Sequence, residues 1–171
     1  MEYSCNKIEE RRGIIVIGMI SSGKSTFLNS LLGITYLETK DDITTKFVCI
    51  IRYNENANEP IFYHLKVVEE KEQFHFIKDG DDVIGKENII KMISSTNLKE
   101  ASLSEPKYEN LFYMLETNIK NISNKEFLKT HDFYDIPGLN EFIVSQKEEK
   151  ENKNDKEETK REEEEEIKRE E

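Results

Sequence analysis

Residues 13–33 read GIIVIGMISSGKSTFLNSLLG, and this stretch decides the fold class. Its first part, residues 13–18, is a short run of β-branched side chains between glycines, which predicts a buried strand of a parallel sheet. Apolar residues then recur at helical spacing over residues 23–32, and Gly33 stands where a C-cap glycine is expected. The stretch therefore predicts a strand, a glycine-rich turn and a helix, which together open an α/β fold.

The turn itself, residues 18–25, has the phosphate-loop pattern of two glycines with four residues between them, followed by a lysine and a hydroxyl residue. In such a loop the backbone N–H groups point at phosphate oxygens, and the following helix adds the positive end of its dipole. Lys24 would reach the β- and γ-phosphates, and the Ser25 hydroxyl would ligate Mg²⁺. The alternative is a pair of glycines that only make a tight turn. The expected nucleotide-binding residues of this loop are Gly18, Ser21, Ser22, Gly23, Lys24, Ser25 and Thr26.

A second motif, DIPG at residues 135–138, follows a candidate strand. In a nucleotide switch the carboxylate of Asp135 would hold a Mg²⁺-bound water, and the N–H of Gly138 would meet the γ-phosphate. The same four letters alone are a common turn. Their position after a phosphate loop in one small domain favours the functional interpretation.

A switch threonine is expected between these motifs, because its hydroxyl would complete the Mg²⁺ coordination. Thr39, Thr44 and Thr45 are the candidates. Thr45 stands at the start of the strand-like sequence TKFVCIIRY and is favoured, with Thr44 as the alternative. The predicted Mg²⁺ ligands are therefore Ser25, Thr45 and, through water, Asp135.

The remaining pattern predicts further strands and one helix. Residues 45–53 and 60–68 are β-rich and are separated by an asparagine-rich turn, so we expect an antiparallel pair. Residues 87–94, inside a longer insert, have helical spacing. Residues 111–122 alternate partly as a strand does, although a helix could also begin there, and residues 127–136 end in a strand before Asp135.

Composition divides the chain into three parts. Residues 1–12 form a polar lead-in that we expect to be frayed, residues 13–146 form one domain, and residues 147–171 are a charged helix or a disordered tail. With 25 basic and 36 acidic residues, the net charge of −11 excludes a broad electrostatic grip on nucleic acid. The two cysteines, Cys5 and Cys49, fit free thiols in the cytoplasm.

Together, the loop GMISSGKSTFLNSLLG, Thr45 ahead of a strand, and YDIPGLNE at 134–141 resemble the N-terminal GTPase domain of the dynamin superfamily over residues 13–142. The resemblance implies a three-layer P-loop fold with a mixed sheet, Mg²⁺-dependent hydrolysis of GTP to GDP and phosphate, and self-association through the GTPase domain. It also implies membrane remodelling in many members, and so a peripheral contact with a membrane. Carried over by position, the catalytic residues would be Ser21, Lys24, Thr45 and Gly138.

Two departures from the family pattern limit what the resemblance implies. Many dynamins have glutamine where this chain has Ile20, and an aliphatic side chain cannot orient an attacking water. The guanine-reading [NT]-K-x-D motif is also missing, because the match NKND at 152–155 lies in a charge run with no strand before it. We therefore expect an incomplete sheet that carries the phosphate-handling half of a GTPase domain. The alternative is a non-catalytic interaction or regulatory protein that keeps the loop as a scaffold, and an ATP-using protein ranks last.

Overall fold

A computed structural model of the chain describes residues 7–39, 45–101 and 111–139. The strands are β1 Arg12–Val16, β2 Val48–Tyr53, β3 Ile61–Glu70, β4 Gln73–Ile84, β5 Phe112–Thr117 and β6 His131–Asp135. The helices are α1 Lys24–Leu32, α2 Lys86–Ala101 and α3 Lys125–Thr130. All of these elements lie in one unit, Met1–Gly138, and a second unit begins at Leu139. In the described ranges, no helix has both the length and the apolar composition needed to cross a membrane.

The six strands form one mixed sheet in the order β1-β6-β2-β5-β3-β4. β1 pairs with β6 and β2 pairs with β5 in parallel, whereas the β2–β6, β3–β5 and β3–β4 pairs are antiparallel. This mixed sheet with its helices confirms the predicted α/β fold class of P-loop type. The strand, turn and helix of residues 12–32 are also confirmed, and Gly33 adopts the left-handed conformation of a C-cap with φ 68°.

The predicted antiparallel pairing of residues 45–53 with 60–68 is wrong, because β5 lies between β2 and β3 and pairs with both. Residues 49–53 of β2 are buried without interruption. A strand that is buried on both faces belongs in the interior of a sheet, where it needs a neighbour on each side. Adjacency in the sequence therefore gave the wrong partner, and the neighbours of β2 are the distant strands β5 and β6.

β1 is parallel as predicted, but the prediction that it is buried is wrong. It occupies the end of the described sheet and has β6 as its one neighbour there. Ile14 and Val16 pack against the core, whereas Ile15, on the opposite face, is 53% exposed. An unbroken apolar run predicts burial on both faces, and this strand is covered on one.

The two faces of the sheet carry separate apolar clusters. The larger cluster takes buried side chains from all three helices, with Leu28 and Leu32 from α1, Ile89 and Ile93 from α2, and Leu128 from α3. The opposite face carries the smaller cluster Ile50, Tyr63, Leu65 and Met114, against which Ile8 packs.

The lead-in is held at residues 7–11 instead of being frayed there. The N–H of Ile8 donates to the carbonyl of Phe76 at 2.9 Å, and the guanidinium of Arg52 donates to the carbonyl of Glu9 at 2.7 Å. Ile8 supplies the physical reason, because one apolar side chain in a polar segment is enough to anchor it over the smaller cluster.

Candidate phosphate-binding site

The turn between β1 and α1 has the backbone geometry that its glycines and serines permit. Gly23 has φ 81° and Ser21 has φ 55°, so both adopt the left-handed conformation. At Gly23 the left-handed backbone favours glycine, and space does not, since a Cβ there would meet nothing within 4 Å. At Gly18 a Cβ would lie 2.7 Å from the Ser22 hydroxyl oxygen, so a larger residue would force that side chain to move. The loop is therefore a tight bend followed at once by a helix.

The N-terminus of α1 opens onto this bend. Gly23 is the N-cap, and the first helical hydrogen bond runs from the N–H of Phe27 to the Gly23 carbonyl at 2.8 Å. Within the described residues, no side chain caps the helix and its first turn has no acidic residue. The first N–H groups and the positive end of the helix dipole therefore face the loop, as an anion site requires.

Lys24 lies over the loop and not in solvent. Its side chain is buried, and Nζ donates to the carbonyls of Met19 at 2.9 Å and Gly18 at 3.3 Å. These contacts place a positive charge beside the bend, where a phosphate would be held.

Three oxygen-bearing side chains converge next to Lys24. The Ser25 hydroxyl donates to Asp135 Oδ2 at 2.7 Å and lies 3.2 Å from the Thr45 hydroxyl, which is 3.5 Å from the same carboxylate oxygen. Burial raises the pKa of Asp135, while the hydrogen bond from Ser25, the charge of Lys24 and the hydrogen bond from Thr45 act in the opposite direction. Burial also raises the pKa of the neighbouring Cys49 thiol, and the charge of Asp135 adds to the effect, so this free thiol stays protonated.

The donor set suits a hard divalent cation. Asp135 Oδ1 is buried and has no hydrogen-bond partner among the described residues. A buried carboxylate oxygen without a partner is costly, and a cation would satisfy it. Together with two hydroxyls, it forms the oxygen-only set that Mg²⁺ prefers and softer metals do not. The residues present therefore fit Mg²⁺.

The loop after β6 packs directly on the phosphate loop. A Cβ at Gly138 would lie 2.6 Å from Ile20 Cγ1, 2.7 Å from the Ile20 backbone nitrogen and 2.8 Å from its Cα. No larger residue fits at position 138 without moving the backbone. The DIPG motif is therefore in contact with the phosphate loop through Ile20, the residue that stands where many dynamins have glutamine.

The other predicted site residues differ in their placement. Ser21 and Ser22 are exposed in the bend, and Thr26 is exposed in the first turn of α1. Thr39 is exposed and has no contact with Asp135 among the hydrogen bonds of the described residues. Thr44 and the NKND sequence at 152–155 lie outside the described residues.

Sequence reasoning missed two residues beside the site, Asn97 of α2 and Glu38. The side chain of Asn97 is 2% exposed and contacts both Glu38 and the backbone N–H of Lys46. The available signal was the position of Asn97 four residues after Ile93, where the inward-facing spacing of this helix continues. The prediction ended that helix at residue 94 and so excluded it.

The chain matches a known family over most of its length. Residues 14–169 match the model of a family described as the dynamin family. No curated protein matches this chain. Two solved structures of an oligomerised bacterial dynamin pair, described as a mechanism for the long-range sensing and tethering of membranes, are 21% identical to it. They cover 77% of this chain with TM-scores of 0.45 and 0.43, and this chain spans 17% and 16% of theirs.

Proposed function

We propose that this chain, which belongs to the dynamin family, binds GTP at residues 18–26 together with Mg²⁺ and hydrolyses it to GDP and phosphate. One observation carries the proposal. Ser25, Thr45 and Asp135 come from three distant parts of the sequence and meet within 3.5 Å beside the buried Lys24. A hydroxyl from the first turn of α1, a hydroxyl from the segment before β2 and a carboxylate beside a lysine are the groups that a nucleoside triphosphate and its cation require.

The chain's own residues would bind and orient the triphosphate. The N–H groups of the bend and of the first turn of α1 would hold the phosphate oxygens, and Lys24 would neutralise charge on the β- and γ-phosphates. Ser25 and Thr45, with Asp135 through water, would hold Mg²⁺, which when bound withdraws charge from the phosphoryl oxygens. Water would attack the γ-phosphorus, the bond to the bridging oxygen would break, and the water proton would pass to the phosphate released.

The contact between Ile20 and Gly138 favours a second candidate function. Ile20 supplies no hydrogen bond to an attacking water, and its backbone lies against the loop that would sense the γ-phosphate. A chain built this way would bind GTP without hydrolysing it. The second candidate is therefore a non-catalytic interaction or regulatory protein that uses the same loop.

Self-association through this domain and a peripheral contact with a membrane belong to the proposal as well. The net charge of −11 argues against a membrane contact made by a broad basic surface, and it argues against nucleic acid as a partner. We place the protein in the cytoplasm, where a free thiol such as Cys49 stays reduced.

The test is a binding and turnover assay on the full chain. Fluorescent GTP is titrated with Mg²⁺ and with EDTA, unlabelled GTP and ATP compete for the site, and phosphate release is followed under saturating GTP. Mg²⁺-dependent binding with preference for GTP, followed by phosphate release, supports the GTPase. Binding without release supports the regulatory candidate, and equal competition by ATP contradicts the assignment of GTP as the nucleotide.

A further inference from the structure

The amide of Asn97 joins two parts of the chain that flank residues 40–44. Its Oδ1 accepts a hydrogen bond from the N–H of Lys46 at 3.0 Å, and its Nδ2 donates to Glu38 Oε2 at 3.2 Å. The other carboxylate oxygen of Glu38 accepts a hydrogen bond from the hydroxyl of Ser94 at 3.0 Å. One turn of α2 therefore holds the chain immediately before this stretch and immediately after it.

The amide side chain of Asn97 satisfies both partners at this buried position. The carboxylate of Glu38 accepts hydrogen bonds, whereas the N–H of Lys46 donates one, so the bridging group must have a donor and an acceptor. An aspartate would keep the acceptor for Lys46 but would place a second negative charge against Glu38. The two partners also fix which way the amide of Asn97 points.

Lys46, whose N–H donates to Asn97, directly follows the candidate switch threonine in the chain. Thr45 precedes Lys46, and its hydroxyl lies 3.2 Å from that of Ser25. Phe47, on the other side of Lys46, is fully buried and packs edge-on against the ring of Tyr113. With Phe47 fixed in the core, the hydrogen bond to the N–H of Lys46 settles the direction in which the backbone presents Thr45.

We propose that Asn97 is a positioning residue for the magnesium end of the site, because it holds Thr45 toward Ser25 and Asp135 from a helix that does not itself reach the nucleotide. The inference rests on the proposed function and deepens it. It assigns to α2, part of the insert between the two motifs, the task of orienting Thr45. Loss of the amide should weaken the response to Mg²⁺ and leave the grip of Lys24 on phosphate in place.

The experiment compares Asn97→Ala, Asn97→Asp, Ser94→Ala and Ser95→Ala in the full chain. GTP affinity is measured in EDTA and across a Mg²⁺ titration, with circular dichroism to confirm folding. Ser95 is the matched control, because its hydroxyl donates to the Met92 carbonyl within α2, whereas that of Ser94 donates to Glu38. We expect Asn97→Ala to raise the half-saturating Mg²⁺ concentration about tenfold, Ser94→Ala about two- to threefold, and Ser95→Ala not at all.

Affinity in EDTA should change less than about twofold in all four variants, because the phosphate loop is intact in each. If Asn97→Ala does not fold, Ser94→Ala gives the result, since it keeps the Asn97 amide and removes only the neighbouring hydrogen bond to Glu38. Asn97→Asp keeps the acceptor for the N–H of Lys46 but repels Glu38, so its half-saturating Mg²⁺ concentration should lie between those of wild type and Asn97→Ala. The double variant Thr45→Ala/Asn97→Ala should respond to Mg²⁺ as Thr45→Ala does alone, because Asn97 acts through Thr45.

Two results overturn the inference, and they are distinguishable. A wild-type Mg²⁺ response from folded Asn97→Ala, or from Ser94→Ala where Asn97→Ala does not fold, contradicts the role of Asn97 alone. A double variant in which the two effects simply add contradicts it as well. A wild-type chain that binds GTP equally with and without Mg²⁺ contradicts the proposed function, and this inference fails with it.

Discussion

The Ser25 hydroxyl lies 2.7 Å from Asp135 Oδ2, although 110 positions separate the two residues in the chain. Their meeting follows from the pairing of β1 with β6, in which Val16 stands opposite Asp135 in a parallel register. The carboxyl ends of the two strands meet at one edge of the sheet, and the bend after β1 brings Ser25 back to that edge. The geometry of the site therefore depends on this one strand pair.

The buried carboxylate of Asp135 should reduce the stability of the nucleotide-free chain. Burial raises its folded pKa, so the folded chain binds the proton more tightly than the unfolded chain does. Stability from this group is thus fully present below the ordinary aspartate pKa and is lost as the pH rises through the raised folded value. We expect Asp135→Asn to melt a few degrees higher than wild type at about pH 7.5 and at nearly the same temperature at about pH 4.

Thermal unfolding monitored by circular dichroism across this pH range checks the prediction. The control is Asp81→Asn, which removes an exposed carboxylate on β4 and should leave no such pH-dependent gap. The same Asp135 variant should lose Mg²⁺-dependent GTP binding, a trade of function for stability. An Asp135→Asn chain that is less stable than wild type at neutral pH would contradict the account.

Lys24 and Lys125, whose ammonium groups both donate to backbone carbonyls, distinguish phosphate binding from general packing. Lys24 Nζ donates to carbonyls of the phosphate loop, and Lys125 Nζ donates to the Ile119 carbonyl at 2.6 Å while lying over the ring of Tyr53. We expect Lys24→Ala to weaken GTP binding by about 100-fold or more, because a charged hydrogen bond to phosphate is lost. Lys125→Ala should lower the melting temperature and leave the GTP dissociation constant within about twofold. Equal affinities for wild type and Lys24→Ala in a fluorescence titration would remove the site assignment.

Sequence reasoning predicted the parts of this fold that depend on neighbouring residues. The bend and helix of residues 18–33 follow from glycine conformations and helical spacing, which operate within a few residues. The partners of β2 could not be predicted in this way, because its two neighbours come from residues 112–117 and 131–135. Pairing of that kind is decided by how the apolar faces pack in the whole sheet, and no local pattern reports it.

β4, for which the sequence pattern predicted no strand, shows a second reason why sequence reasoning fails. It follows a two-residue turn at Lys71 and Glu72, both with positive φ, where glycine or asparagine would have marked a hairpin. Its sequence then runs through KDGDD at 78–82, in which apolar alternation is lost. The strand persists because it pairs with β3 along almost its whole length. Asn97 was missed for the related reason that both of its partners are more than 50 positions away.

The contact of Gly138 with Ile20 predicts a substitution that the loop cannot absorb. A Cβ at position 138 would meet the Ile20 backbone nitrogen at 2.7 Å, so Gly138→Ala should push the loop after β6 away from the phosphate loop. We expect GTP affinity to fall about tenfold. Adding Ile20→Ala should not restore it, because the contacts with the nitrogen and Cα of residue 20 remain.

Gly80→Ala is the comparison for that variant. Gly80 has φ 86° but open space around it, so its substitution strains a strand far from the site. It should cost about 1 kcal/mol of stability and leave affinity unchanged. Restored GTP binding in the Ile20→Ala/Gly138→Ala chain would show that the side chain of Ile20, and not its backbone, sets the limit.

The ion pair of Arg52 and Asp132 should be the main polar support of the sheet. Nε and Nη2 of Arg52 donate to the two carboxylate oxygens at 3.0 and 2.7 Å, and both side chains are almost fully buried. Burial alone would lower the pKa of Arg52, but the hydrogen bond and charge of Asp132 act against it, so the pKa of Arg52 is raised and its guanidinium stays charged. Removing one partner leaves a buried charge without compensation. We expect Arg52→Ala and Asp132→Ala each to lower the free energy of unfolding by about 3–5 kcal/mol.

Urea unfolding of the full chain measures the effect, and the exposed pair of Lys129 and Glu126 provides the control. Lys129→Ala should leave the urea midpoint unchanged, because an exposed ion pair is screened by water. Arg52→Leu/Asp132→Leu should be more stable than either alanine variant, since it buries no charge. Because Arg52 points away from the face that packs against α1, GTP affinity should stay within about twofold of wild type wherever the chain is folded. A small loss of stability in both alanine variants would mean that the pair is hydrated and not a buried link between β2 and β6.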